Sequence, residues 1–393
     1  MKLKQLPEDF IVEEILHPQF TKEGKYALYL LEKTSLDTLE AKRIIIKKFK
    51  IPYPDVGVAG LKDKHAKTTQ HITIKGKEDK KYEFVEKSVS LKFLGYIDAP
   101  LKSGDLEKNK FTITVRALKQ GEFPKIQKNS EEVKLYGIPN YFDSQRFGSF
   151  QGTDDFVAKH LIFDDFETAL KLFMTRHTGF ERANIRTCRR EIAKEWGNWV
   201  LLLEQCKPVA RPLREEYRII EYLAQHPADF IGAFRLSDKS IKELFVSAYQ
   251  SYLWNECVKA YLRQKIQKNL HTLPYAAGKL LFYKILPINL LELWKAMTIP
   301  LLSHKTISPP QLAPIIEKVL AKEGILLKDL KIKKMTALFF KERQRKLLLF
   351  PEELEREEPE SDELNQRCYK IKISFSLEKG AYATLILKRI FQL

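Results

Sequence analysis

The sequence predicts an α/β chain of two domains, in which an α/β core is interrupted by an inserted, helix-rich domain. Three observations carry that expectation. The first 150 residues alternate short β-like runs with one or two helices, the pattern turns helical from about 155 to 350, and a clean strand returns near residue 371. A strand that comes back after a helical middle is what an insertion into an α/β core produces. The chain has 393 residues, 44% of them hydrophobic, long enough for a single core to stop growing and divide.

Asp37-Thr-Leu-Glu40 reads as a capping box opening a helix with Ala41, Ile44, Ile45 and Phe49 on its apolar face. Val56-Gly-Val-Ala59 is a short strand-like run, and Gln70–Lys75 and Phe111–Arg116 alternate with period two, as half-buried strands do. Further helices are expected over 166–176, 215–225, 310–323 and 335–348. Lys242–Leu262 places Leu244, Phe245, Ala248, Leu253, Cys257, Ala260 and Tyr261 on an approximate helical stripe. The stretch 265–305, with three prolines, follows no single pattern. Glu352–Glu363 is acidic and reads as a solvated linker or hinge. After it, Ile371, Ile373, Phe375 and Leu377 alternate with Lys372, Ser374 and Ser376, and Gly380 precedes a short apolar end from Ala381 to Phe391.

Lys and Arg number 68 against 51 Asp and Glu, a formal charge of +17. Such a surplus suits a polyanion as partner, because neutralised phosphates release counterions. It suits equally a Lys-rich, heat-adapted proteome in which Lys and Glu rise together. Cys188, Cys206, Cys257 and Cys368 are scattered, without a CxxC pair or a neighbouring His. That spacing argues against zinc and against a disulfide framework, and implies a reduced, cytoplasmic setting. The start, MKLKQLPEDF, lacks the apolar stretch of a signal peptide, and no apolar run approaches the ~18 residues of a membrane span.

The segment richest in chemistry is Gly60-Leu-Lys-Asp-Lys-His-Ala-Lys-Thr-Thr-Gln70. A glycine turn there carries one carboxylate, Asp63, among Lys62, Lys64, His65 and Lys67. Such cations hold a carboxylate ionised and draw in a phosphodiester backbone. On residue types alone, the commoner meaning of this pattern is a surface turn whose Asp caps a nearby amide.

The segment nevertheless resembles the GxKDxxAxTxQ signature of TruD-type tRNA pseudouridine synthases, matching at Gly60, Lys62, Asp63, Ala66, Thr68 and Gln70. Companion motifs follow in the family's order. Lys4-Gln-Leu-Pro-Glu-Asp-Phe-Ile-Val-Glu13 resembles its opening K…P-E-D-F-x-V-x-E, and Asn140-Tyr-Phe-Asp-Ser-Gln-Arg-Phe-Gly148 resembles N-Y-F-G-x-Q-R-F-G. The helix with Ser247, Gln250, Ser251, Leu253 and Asn255 is similar to its S…L-x-N helix, and Phe375–Thr384 to its F-x-L-P-x-G-x-x-A-T. The chain departs from the family at Gly24-Lys-Tyr26, Lys108, Asp143, Glu378 and Lys379, none of them a residue expected to be catalytic.

The resemblance implies a pseudouridine-synthase-like core with a mixed, mainly antiparallel sheet, built from residues 1–152 and 352–393. An inserted, helix-rich α/β domain would span 153–351, with boundaries good to about ten residues. It implies isomerisation of uridine to pseudouridine in tRNA, with uridine 13 as the family's usual target. Asp63 would be the nucleophile and Lys4 its cationic partner. The uridine must leave its stack, so Phe142 is expected to stack on the base and Phe10 to wall the pocket. Asn140, Lys62, His65, Gln70 and Arg146 are expected to contact substrate. His65 is read as a phosphate contact rather than a general base, and Arg186, Arg189 and Arg190 as a phosphate-tracking surface. The partner is tRNA; no metal, cofactor or membrane is expected, and a monomer is favoured. Two other classes stay open: a non-catalytic tRNA-binding or folding protein, indifferent to Asp63→Asn, and a metal-dependent nuclease, which would need several converging carboxylates.

Overall fold

The computed structural model describes residues 1–76, 81–148, 155–176 and 181–392. The chain forms two compact units: Met1–Ile138 with Leu349–Leu393, and Pro139–Leu348. The domain boundary expected at 152/153 lies outside the described residues.

The first unit is built on a ten-stranded sheet. Its strands are β1 (Phe10–Ile15), β2 (Tyr26–Thr34), β3 (Val56–Val58), β4 (Lys67–Lys75), β5 (Phe84–Glu86), β6 (Val89–Ile97), β7 (Lys108–Leu118), β8 (Glu352–Arg356), β9 (Glu360–Ser361) and β10 (Tyr369–Glu378). The order along the sheet is β8-β10-β7-β1-β4-β2-β6-β5, with β9 on β10 and β3 on β4. Among the described residues of the sheet, only β1 and β4 pair in parallel, with Val12 opposite Thr68. The sheet is therefore mixed and mainly antiparallel, as expected. The strands expected at Gln70–Lys75, Phe111–Arg116 and 371–377 are all present within β4, β7 and β10.

The capping box expected at Asp37 is half realised: the Asp37 side chain accepts from the Glu40 amide and starts helix α1 (Thr38–Phe49). Ala41 and Ile45 of α1 pack on Tyr29, Leu31, Ile72 and Ile74 of the sheet. Helices α2 (Phe123–Tyr136) and α3 (Ala383–Phe391) are joined by the buried Arg389–Glu132 pair at 2.5 Å and by Asn129 Nδ2 donating to the Ile390 carbonyl at 2.7 Å.

The second unit is organised around the 27-residue helix Lys239–Lys265, which buries Phe245, Trp254 and Leu262 among others. The helices expected near 166, 215 and 310 appear as Phe166–Thr175, Arg214–Gln225 and Ala313–Lys322. The unreadable stretch 265–305 resolves into a hairpin of Leu270–Tyr275 and Gly278–Tyr283, the helix Ile288–Lys295 and the strand Thr298–Leu301.

Four expectations are corrected. No helix covers 335–348; Arg343–Lys346 is a strand antiparallel to Thr298–Leu301. Buried Leu338 and Phe340, together with Leu347–Leu349, flank a charged run in a helix-like spacing, and the ladder with a distant strand overrides it. Glu352–Glu363 is not a hinge but largely the sheet edge, β8 and β9. There Glu352 meets Lys108 at 2.5 Å and Glu357 meets Lys372 at 3.1 Å, and charged side chains of this kind protect an exposed edge. Cys188 and Cys206 form a disulfide, with Cα atoms 5.7 Å apart, joining the helices Ala183–Lys194 and Trp199–Cys206. Helix packing brings together two cysteines whose spacing carries no signal. Finally, Arg189 is no surface cation: it is 6% exposed and bonded to Glu181, Glu216 and the Met174 carbonyl.

Candidate active site

The turn between β3 and β4 carries Asp63, and its backbone is gripped from below. Gly57 sits so close to the sheet that a Cβ would lie 2.6 Å from the Leu101 carbonyl oxygen, which only glycine avoids. Thr38, first residue of α1, accepts from the Lys62 amide at 3.0 Å and donates to Gln70 Oε1 at 2.9 Å. Gln70 Nε2 returns a bond to the Gly60 carbonyl at 3.2 Å. Lys33 Nζ donates to the Asp63 carbonyl at 2.9 Å. The turn is thus fixed by side chains of α1, β2 and β4.

The Asp63 carboxylate stays partly open, with 24% of its side chain exposed. Oδ2 takes a hydrogen bond from Lys4 Nζ, and Oδ1 accepts from the His65 amide at 3.0 Å. Burial alone would raise the Asp63 pKa, but the Lys4 hydrogen bond and charge, with the His65 amide, outweigh it and leave the pKa below its ordinary value. The carboxylate is ionised at neutral pH.

Lys4 is held for this role. Its backbone lies in the left-handed region, φ 56°, between Lys2, which pairs with Arg116 through both main-chain bonds, and the short 3-10 turn Pro7–Asp9. Arg116 is itself buried and bound to Asp9 at 2.8 Å and Asp362 at 3.0 Å. The Lys4 ammonium lies 4.1 Å from the centroid of the Phe10 ring, a cation–π contact. Phe10 is 4% exposed and meets Phe111 edge-on.

Behind the turn lies a second, buried charge pair. Lys62 Nζ stands 2.7 Å from Glu14 Oε2 and donates to Asn109 Oδ1 at 2.7 Å. Glu14 also accepts from the His71 amide at 3.0 Å. Burial works to raise the Glu14 pKa, yet His71 and Lys62 together lower it. The substrate contacts expected of Lys62 and Gln70 are therefore corrected: Lys62 is turned inward on Glu14, and Gln70 is 0% exposed and braces the turn. His65, Lys64 and Lys67 remain exposed, the arrangement a phosphate contact requires.

The remaining expected residues belong to the second unit. Arg345 donates from Nε to the Asn140 carbonyl and from Nη2 to Asn140 Oδ1, both at 2.7 Å, and to the Tyr141 carbonyl at 3.2 Å. Asn140 is 8% exposed, and its bonds to Arg345 order its loop. Asn255 brackets Phe142, its side chain bonding both the amide and the carbonyl at 2.9 Å. The Phe142 ring is 6% exposed, edge-on to Trp254, with the Arg345 guanidinium 4.2 Å from its centroid and that of Arg146 at 5.7 Å. For a base to stack where Arg345 lies, that guanidinium must move. Arg146 Nε donates to Ser251 Oγ at 3.1 Å.

Sequence reading missed Glu14, Lys33 and Arg345. Strand parity held the signal for the first two. Phe10, Val12 and Glu14 share the buried phase of β1, and Tyr29, Leu31 and Lys33 that of β2.

Among the described residues, no three His, Cys, Asp or Glu side chains converge as a metal site, and no helix is long and apolar enough to cross a membrane.

The sequence profile of the family described as tRNA pseudouridine synthase D (TruD) matches residues 1–273 and 292–390. A protein of Methanococcus maripaludis named as tRNA pseudouridine synthase D 1 is 39% identical over 100% of both chains. The tRNA pseudouridine synthase D of Aquifex aeolicus is 32% identical over 100% of this chain and 98% of its own. Among solved structures, one assigned to tRNA pseudouridine synthase D (TruD) of Methanosarcina mazei superposes with a TM-score of 0.74 at 28% identity, covering 100% of this chain and 93% of the other.

Proposed function

The chain belongs to the tRNA pseudouridine synthase D (TruD) family of isomerases, and from that premise we propose that it converts a uridine of tRNA to pseudouridine with Asp63 as the reacting carboxylate. The observation that carries this reading is the Lys4–Asp63 pair: a carboxylate held ionised by one cation, on a fixed turn, with part of its surface open.

The reaction breaks the N1–C1′ bond, and the electron pair leaves with the uracil while positive character builds at C1′. Asp63 meets that charge either by bonding to C1′ or by taking the C2′ proton. The freed uracil turns, and C5 bonds to C1′ as the Asp63–C1′ bond breaks or as the proton is returned to C2′; the C5 hydrogen then leaves as a proton and N1 takes one up. Nothing is oxidised or reduced. The base must first leave its stack to be reached, and the exposed His65, Lys64 and Lys67 beside Asp63 suit the phosphates of a nucleotide drawn to the turn. Uridine 13 is the target this reading favours.

The test uses unmodified tRNA transcripts and the full-length protein, with pseudouridine mapped by carbodiimide-dependent primer-extension stops. A stop at uridine 13 supports the whole reading. A stop at another uridine keeps the reaction and discards the target. Salt-sensitive binding without any stop rejects the reaction in favour of a binding protein.

A further inference from the structure

Lys33 is the one residue of β2 that reaches the main chain of the nucleophile. Its side chain is fully buried, and its ammonium donates to the Leu36 carbonyl at 2.6 Å and to the Asp63 carbonyl at 2.9 Å. Leu36 precedes Asp37, the cap of α1. One cation therefore ties the end of β2, the start of α1 and the peptide of Asp63. At 0% exposure Lys33 cannot touch a substrate, so any effect it has on the reaction passes through the backbone it holds.

We propose that Lys33 is a positioning residue for the reaction, pinning the Asp63 peptide so that its carboxylate stands fixed beside Lys4, and adding a second positive charge at the Asp63 main chain. The proposal rests on the reading of Asp63 as the reacting group. Burying an ammonium that merely holds two carbonyls is costly, and a neutral donor would hold them as well; the charge is what distinguishes a lysine here.

The charged groups facing it are Asp63 and Lys62 on the turn, Asp37 at the start of α1, and Lys4 across the Asp63 carboxylate. Burial outweighs the two aspartates and, with Lys62, pushes the Lys33 pKa down to about 8. Its charge is then lost just above neutral pH, while the neutral amine keeps its donors.

The experiment measures turnover of an unmodified tRNA transcript from about pH 6 to about pH 9.5 by the full-length wild type, Lys33→Met, Lys33→Gln and Asp63→Asn. Lys33→Gln retains a donor without charge and carries the test if Lys33→Met fails to fold. Both variants are expected to lose about tenfold to a hundredfold in kcat, with KM within about twofold of wild type. The wild type is expected to lose activity through pH 8, and that limb disappears in the variants. Turnover like wild type overturns the proposal, as does a parallel loss at every pH with the limb retained. A wild-type profile flat through pH 8 overturns it whatever the variants do. Asp63→Asn separates the two layers: if it stays active, the nucleophile reading fails; if it is dead while the Lys33 variants turn over normally, only the positioning role fails.

Discussion

The Lys4 ammonium is bonded to Oδ2 of Asp63 across 59 positions of sequence, and each side chain keeps about a quarter of its surface open, 25% and 24%. This pair sets the protonation state of the Asp63 carboxylate. Burial opposes ionisation of Asp63; Lys4 and the His65 amide more than offset it. A carboxylate whose pKa is depressed on folding adds stability above its ordinary value of about 4, and that contribution is lost as pH falls through the lowered value. Lys4→Met should therefore move the acid limb of kcat upward and lower kcat at neutral pH by about tenfold or more, one hydrogen bond to a charged group being worth roughly 1.5–3 kcal/mol. A pH–rate series on the variant checks it; an acid limb left in place would contradict the pairing.

The Glu14–Lys62 pair should behave as a buried unit. Lys62→Met strands the Glu14 carboxylate in the interior and should cost about 3–5 kcal/mol in chemical denaturation. Glu14→Gln combined with Lys62→Met should regain much of that loss, because no uncompensated charge remains. Equal destabilisation of the single and double variants would rule out a coupled pair.

Arg116 joins the segment that bears Lys4 to β7 and to the residues after β9. Burial would raise the Asp362 pKa, but the amides of Ala117 and Leu364, the Asn365 side chain and Arg116 bring it down to about 2. Its contribution is fully present above the unfolded value of about 4 and fades as pH falls toward 2. Wild-type stability should thus decline between those limits, and Asp362→Asn should flatten that decline while lowering stability at neutral pH. Urea titrations at stepped pH read both effects.

The Cys188–Cys206 bridge closes a loop with a sequence separation of 18, worth about 3 kcal/mol when closure restricts the unfolded chain. Alkylation of the denatured, unreduced chain should label two cysteines, Cys257 and Cys368, and reduction should expose all four. Reduction should also lower the unfolding temperature. Four labelled cysteines before reduction would show the bridge absent.

What could be read in advance follows from where the information lay. The Gly60–Gln70 turn and the Lys4 arm are local strings, and the pairing of Asp63 with Lys4 was expected from their resemblance to the family's motifs, not from the residue types alone. Glu14 and Lys33 were not, because no strand was read over either of them; the phase shared with Phe10 and Val12, or with Tyr29 and Leu31, points inward. The pairing of Arg345 with Asn140 was beyond reach, since the two lie 205 residues apart. The strand at Arg343–Lys346 was hidden for the same reason, its ladder partner Thr298–Leu301 being distant in sequence. Contacts that form only in the folded chain leave no local pattern to find.

The central claim is that Asp63 performs the isomerisation. Forming the C5–C1′ bond expels the C5 hydrogen, so a tRNA transcript labelled with tritium at uracil C5 reports the reaction directly as tritium in water. The wild type should release it and Asp63→Asn should not, with both proteins binding the transcript equally. Release by Asp63→Asn at the wild-type rate would contradict the account.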